Sequence, residues 1–410
     1  MLPVAHKQGC CGFDNNESHQ VASGLSAVEL SQWGKRGKES MGNKKNFGAG
    51  KMPEIEPSVF LTNLPGIVGF YPRGQVVIAA LYRQQVEDFI DGKVEFDPTA
   101  HAGPMLIKDV ASMESNPDLV RAAADFLLDE GCTHADVFII DESWGIEKDS
   151  TPITGWLREG GLHEVRLAGV ATIAAGEVVT DEQGEIVGIV GDSLMTENAN
   201  LISRQGEQIF KNYEEYRSYF RGGQFRDSKD RALIERLRER AIAVEQPRKL
   251  KIGSDNPALI EHFDMLKTAV ENVADGVMDA HEAVRDENAG YAIAAALTNV
   301  TLRDMSMIFI TTQLAQSMGE IWREAAIVHR GSLRANALAC FAIAKFAAGL
   351  ENYAQTALDE AAGEQPNHSL TQLLEIAVAN QIVPRCVGTI LGAAQEVLRR
   401  VYKVKMPRID

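Results

Sequence analysis

Signatures of chemistry are what this chain lacks most plainly. It has no Gly-rich phosphate loop, no Gly-x-Ser-x-Gly elbow, no His-Glu-x-x-His and no Cys-x-x-Cys, so the reactions those spacings support find no motif here. Cysteine is scarce: five residues, an odd number without paired spacing, which suits a reducing cytoplasm rather than a disulfide scaffold. Cys10 and Cys11 are adjacent, and this vicinal pair reads as bystander thiols rather than as zinc ligands. No run of about 18 apolar residues suggests a membrane span. A basic surplus is missing too. The formal net charge is −16, and the first 54 residues carry seven Lys/Arg against five Asp/Glu, so the remainder carries 34 against 52, a net of −18. Such a body repels duplex DNA and anionic membranes.

What is present is a helix hairpin. Leu338, Phe341 and Ala342 recur at i, i+3, i+4, and Ala354, Ala357, Leu358 and Ala361 extend the same stripe in a second helix. Gly349 and Gly363 are placed as helix stops, and Pro366 cannot continue a helix. The spacing resembles one tetratricopeptide unit, except that Lys345 stands where that repeat carries an aromatic residue. No second copy follows, so a stacked solenoid is excluded and the unit is one hairpin of a helical domain.

Four regions are expected. Residues 1–54, rich in Gly, Asn, Ser and Lys, read as a disordered tail with a basic segment at Lys35, Arg36, Lys38, Lys44 and Lys45. Residues 55–198 read as an α/β domain. An extended segment is expected at Ser58 to Thr62, then a short helix from Pro65 to Gly69. Next come a turn at Tyr71 to Gly74 and a doubly covered strand at Gln75 to Tyr82. A helix at Asn116 to Gly131, strands at Asp136 to Ile140 and Val165 to Ile173, and a hairpin of Glu177 to Thr180 with Glu185 to Val190 complete a mixed sheet. Residues 199–252 read as a charged helical connector, in which Phe210, Tyr213, Tyr216 and Phe220 form a core stripe. Residues 253–404 read as an all-α domain, with Ser369 and Gln372 as a capping box and Pro384 in the first turn of the last helix.

The best place for chemistry is the end of the strand at 136–140. There Asp141 and Glu142 could hold Mg²⁺ or act as acid and base, with Ser143 and Trp144 beside them. Acidic residues also end strands simply because loops are wet. Tyr71, Arg73, Arg303 and Asp304 are further ligand-binding candidates, Asp304 being better explained as a structural cap or ion pair near a helix N-terminus. His281, His329 and His368 share no metal-like spacing and read as surface or helix-end residues. The residues call for no particular cofactor.

The segment LPGIVGFYPRGQVV from Leu64 to Val77 resembles the opening signature of the actinobacterial domain of unknown function 4192. LTNVTLRDMSM from Leu297 to Met307 resembles its Val-Arg-Asp element, and Trp322 with the run Arg334 to Pro384 resembles its closing segment. Tyr71 replaces the His usual after the family's aromatic residue, and no aromatic and cysteine-rich stretch occurs between Trp144 and Asn200, which marks a divergent member. The resemblance implies the two-domain layout and a cytoplasmic setting, and no assigned activity. The expected role is therefore a non-enzymatic interaction or ligand-binding protein with a protein partner on its helical domain. The alternatives are a metal-dependent or nucleotide-handling enzyme using Asp141 and Glu142, and a nucleic-acid-associated protein using the tail or Arg236, Arg238 and Arg240.

Overall fold

The computed structural model describes residues 56–83, 100–145, 151–223, 225–245, 257–380 and 382–402. The expected disordered tail, with Cys10, Cys11 and the basic segment, lies outside these residues. Two compact units divide the chain: one takes the described residues through Leu61 and Arg73–Gly191, the other Thr62–Pro72 and those from Asp192 onward. Each is described separately.

The chain enters through helix α1 (Pro57–Val68), where an extended segment followed by a short helix was expected. Pro57 fits the first turn of a helix, and Phe60, Leu61, Leu64, Ile67 and Val68 are all buried at i, i+1, i+4, i+7, i+8 spacing. Pro65 is tolerated inside it.

The first unit carries β1 (Gln75–Arg83), β2 (Ala100–Asp109), α2 (Val110–Ser115), α3 (Pro117–Asp129), β3 (Cys132–Ile140), α4 (Ile153–Glu159), β4 (Glu164–Val170), β5 (Val178–Asp181) and β6 (Ile186–Ile189). Its sheet runs β2-β1-β3-β4-β5-β6. Only β3 and β4 are parallel; the other neighbours are antiparallel, so the mixed sheet and its closing hairpin are as expected. Strand β2 was not anticipated: Gly103 and Pro104 interrupt its pattern, and proline is acceptable there because β2 is an edge. Val76 to Ala80 are buried on both faces. One face of β3 sends Ala135, Val137 and Ile139 into a core with Val120, Ala124 and Leu127 of α3 and Leu157 of α4. On the other, Phe138 stacks on Phe60 with ring centroids 4.4 Å apart, and Arg166 grips Asp136 through two bonds of 2.6 and 2.7 Å. Helix α3 is capped by Asn116, whose side chain accepts from the Leu119 amide, and Gly131 takes the positive φ that starts β3.

The second unit is all-α: α5 (Glu197–Arg204), α6 (Tyr213–Ser218), α7 (Ser228–Glu245), α8 (Pro257–Ala274), α9 (Ala280–Ala283), α10 (Ala289–Thr298), α11 (Val300–Ser306), α12 (Ala315–Val328), α13 (Gly331–Ala347), α14 (Glu351–Glu364), α15 (Ser369–Ala379) and α16 (Val383–Tyr402). Helices α13 and α14 are the expected hairpin, with Phe341, Ala342, Ala354, Leu358 and Ala361 buried and Gly349 at φ 76°. Gly363 lies inside α14 and is not its stop; the chain leaves at Gln365, ahead of Pro366. Among the described residues no single helix is long and apolar enough to cross a membrane.

Candidate functional site

In the first unit, the strand-end candidates part company. Asp141 Oδ1 accepts from the Ser143 amide at 2.9 Å and from its hydroxyl at 2.5 Å, which closes the turn after β3. Glu142 is exposed. Trp144 turns inward, its ring lying on Gly169 with no room for a Cβ there, and its indole N–H donates to Thr180 Oγ1 at 2.9 Å. Arg73 is exposed. Among the described residues no group of three or more His, Cys, Asp or Glu is placed to hold a metal ion.

In the second unit, Tyr71 is partly buried, and burial first, then the nearby Asp192 carboxylate, raise its phenol above the ordinary tyrosine range. The sequence places Asp304 near a helix N-terminus, but neither it nor Arg303 starts the helix: α11 begins at Val300 under an Asn299 cap whose side chain accepts from the Leu302 amide at 2.9 Å. Asn at a cap with an extended backbone outcompetes a carboxylate further along the helix. Arg303 instead bonds Asp304 Oδ1 at 3.0 and 2.8 Å and Asn336 Oδ1 at 2.8 Å. Asn336 donates to the Leu297 carbonyl, and its Oδ1 also meets His368 Nε2 at 3.0 Å. Because Arg303 can only donate, that oxygen is an acceptor and the imidazole donates through Nε2–H. Its Nδ1 then accepts from Thr371 and caps α15. This replaces the expected Ser369–Gln372 box, because a buried ring at the cap position reaches the orphan amide first. Burial, then Arg303, lowers the His368 pKa below its ordinary value.

A larger set of buried charges was not foreseen. Lys345 of α13 meets Glu207, in the loop after α5, at 2.5 Å, with side chains 5% and 4% exposed. Tyr219 donates to the other Glu207 oxygen at 2.7 Å, and Arg323 of α12 lies over the Tyr219 ring at 4.4 Å. Arg323 then pairs with Glu324 at 2.5 Å, and Glu324 meets His281 Nδ1 at 3.1 Å. Arg285 bonds Asp230 of α7 at 2.9 Å, and Arg226 donates to His281 Nε2 at 2.7 Å. Burial, reinforced by Glu207, pushes the Tyr219 phenol well above its ordinary pKa, so it remains a donor. Each acid here faces a base, which suits holding helices together rather than releasing a nucleophile. The sequence signal was Lys345 itself, a cation inside an apolar stripe.

Around this network sits an aromatic cluster. Phe70 stacks on Tyr216 at 5.5 Å, Tyr216 meets Tyr353 edge-on at 5.5 Å, and Phe220 meets Phe341 at 5.8 Å. Tyr353 donates to the Gln208 carbonyl. Phe210 bridges the opening segment, its amide donating to the Gly69 carbonyl and its carbonyl accepting from the Tyr71 amide. Gly69, at φ 85°, leaves the space that Asn352 and Tyr353 occupy. His329 is buried at the end of α12, not on the surface, and burial followed by Arg238 pushes it down to about 4.

These features define a class: a mixed-sheet α/β unit with a helical unit whose buried charges are internally matched. The family described as Domain of unknown function (DUF4192) matches residues 57–385, and the chain belongs to that family. No curated protein matches the chain, and no solved structure does.

Proposed function

We propose that this chain is a non-enzymatic cytoplasmic interaction protein that binds a protein partner through its helical unit. The observation that carries the reading is an apolar strip on the closing helices: Leu373 and Ile376 on α15 and Ile382 at the turn into α16 are exposed at 47%, 58% and 44%. Leu373 and Ile376 share a helical face at i, i+3, the spacing by which helices anchor in partner grooves. The same reading is supported by what the chemical candidates do. Asp141 closes a turn, and Arg303 and Asp304 bond one another. In the second unit Arg236 pairs with Glu287, Arg238 with Glu235, and Arg240 lies on Tyr291, arrangements that satisfy these cations without nucleic acid.

The test is purification of the full chain at native expression, compared with Leu373→Asp/Ile376→Asp. One reproducible partner retained by the parent and lost by the variant, with unchanged thermal melting, is the expected outcome. A monomeric chain with no partner, or a partner that binds both forms alike, overturns it. Calorimetry with Mg²⁺ and nucleotides addresses the enzymatic alternative. Binding that disappears in Asp141→Asn/Glu142→Gln would establish that alternative.

A further inference from the structure

The last described residue of α16 is anchored on the outer side of α8. Tyr402 donates to Asp264 Oδ1 at 2.7 Å, and its ring meets Phe263 edge-on with centroids 6.0 Å apart. Asp264 also lines a shallow trough of about 520 Å³ along α8, together with Pro257, Ile260, Glu261, Met265 and Thr268. These residues recur at i, i+3, i+4, i+7, i+8 and i+11 of the helix, which is one face of it. The chain therefore passes out of the described residues at the edge of this trough.

Pro257, Ile260 and Met265 make the trough apolar, while Glu261 and Asp264 are exposed within it. The only Lys or Arg on α8, Lys267, pairs with Glu271 at 3.5 Å. Among the described residues neither Glu261 nor Asp264 has an ion-pair partner, and Tyr402 occupies one oxygen of Asp264 only. The residues that follow Tyr402 match this lining. Lys403 to Asp410, KVKMPRID, holds three cations against one acid in a chain of net charge −16, and it opens with cation and apolar side chain in alternation. In an extended chain side chains two apart share a face, so Val404 and Met406 turn to one side and Lys403 and Lys405 to the other. Eight extended residues reach about 26 Å, and the trough from Pro257 to Thr268 is about 17 Å long. Tethering at Tyr402 supplies a roughly millimolar effective concentration, enough to fill a site whose separate contacts are weak.

We infer that residues 403–410 lie in this trough, Val404 and Met406 against Ile260 and Met265 and the basic side chains against Glu261 and Asp264. On this inference α8 carries a site for a short peptide of alternating basic and apolar residues, which the chain fills itself. A partner peptide of the same chemistry has to displace it. The site is independent of the strip on α15.

The experiment uses the full chain and a fluorescein-labelled KVKMPRID peptide with blocked ends, read by anisotropy at low ionic strength. The parent should bind it weakly, because its own segment competes. Lys403→Gln/Lys405→Gln/Arg408→Gln should bind it at least about tenfold more tightly, as the free fraction of the site rises. Glu261→Lys or Met265→Ser added to that variant should abolish the gain, and Leu373→Asp/Ile376→Asp added instead should leave it unchanged. In the parent, carbodiimide should join Lys403 or Lys405 to Glu261 or Asp264 within one molecule, read by mass spectrometry of the monomer. Circular dichroism and thermal melting check that each variant keeps the fold. Equal binding by the parent and the glutamine variant, binding by neither, a gain that survives Glu261→Lys, or cross-links found only between molecules each overturns the inference.

Discussion

Lys345 and Glu207, far apart in the chain, form an ion pair of 2.5 Å with both side chains almost fully buried. An ammonium and a carboxylate removed from water cost several kcal/mol each, and the pair recovers this only through close geometry and further bonds. Tyr219 supplies one such bond to Glu207, and the Phe341 ring lies 5.0 Å from the Lys345 ammonium. The pair ties α13 to the loop that also bridges Gly69 and Tyr71 through Phe210. Lys345→Met should therefore destabilise by about 3–5 kcal/mol, because it strands Glu207. Glu207→Gln, added to it, should return a large part of that loss, since Gln still accepts from Tyr219. Urea denaturation of the two single variants and the double variant measures the coupling, and additive losses would show that the pair is not coupled.

Asn336 stands between Arg303 and His368, accepting from both and donating to the Leu297 carbonyl. Asn336→Ala removes the shared oxygen and leaves a buried guanidinium N–H and a ring N–H unpaired, at a cost of about 2–3 kcal/mol. His368 is the readout. In the parent its Nδ1 accepts and its Nε2 carries the proton; nitrogen chemical shifts should report that tautomer and should change in the variant. His368 has a folded pKa below its unfolded value. The unfolded chain therefore takes up the proton first as pH falls through about 6.5, and the histidine's contribution to stability declines below that pH.

Gly169→Ala examines the other unit. A Cβ at this position overlaps the Trp144 ring, and both ring and strand are buried, so neither can yield cheaply. The expected cost is about 1–3 kcal/mol, with a change in the near-ultraviolet dichroism of Trp144 as its bond to Thr180 is strained. An unperturbed spectrum and melting curve would contradict the packing described.

Periodicity revealed what depends on neighbours in sequence. The hairpin of α13 and α14, the strand at β1 and the β5–β6 turn all carry their own pattern, and Gly131 and Gly349 punctuate as glycine with positive φ must. The errors lie where a long-range partner decides. Strand β2 is hidden by Gly103 and Pro104, yet Gly103 faces Cys132 of β3, where a Cβ would be crowded, and the edge position admits the proline. Ser369 looks like a cap until His368, held by Asn336, takes its place. The buried charges were invisible because Glu207, Tyr219, Arg323 and Glu324 look like ordinary surface residues in their own segments. Lys345 alone was out of pattern, and only Glu207 explains it.

Asp359 offers a pH test of the helical unit. It lies partly buried on α14, where burial pushes its carboxyl up to about 7, with Glu375 of α15 and Glu360 adding to the rise. Gln355 donates to it at 2.9 Å, and Arg217 opposes the rise; both only moderate it. The folded carboxyl holds its proton to higher pH than the unfolded one, whose pKa is about 3.9. Between those values the folded state binds more protons, so stability falls as pH rises from about 4 through 7 and rises again on acidification within that window. Asp359→Asn keeps the size and the bond from Gln355 and removes the charge. It should stabilise the chain at pH 8 by about 1–2 kcal/mol, a cautious fraction of the full linkage, and should flatten the pH dependence between 5 and 8. Chemical denaturation of parent and variant at pH 5 and 8 decides the matter: a difference that is the same at both values would show that Asp359 does not titrate in this range.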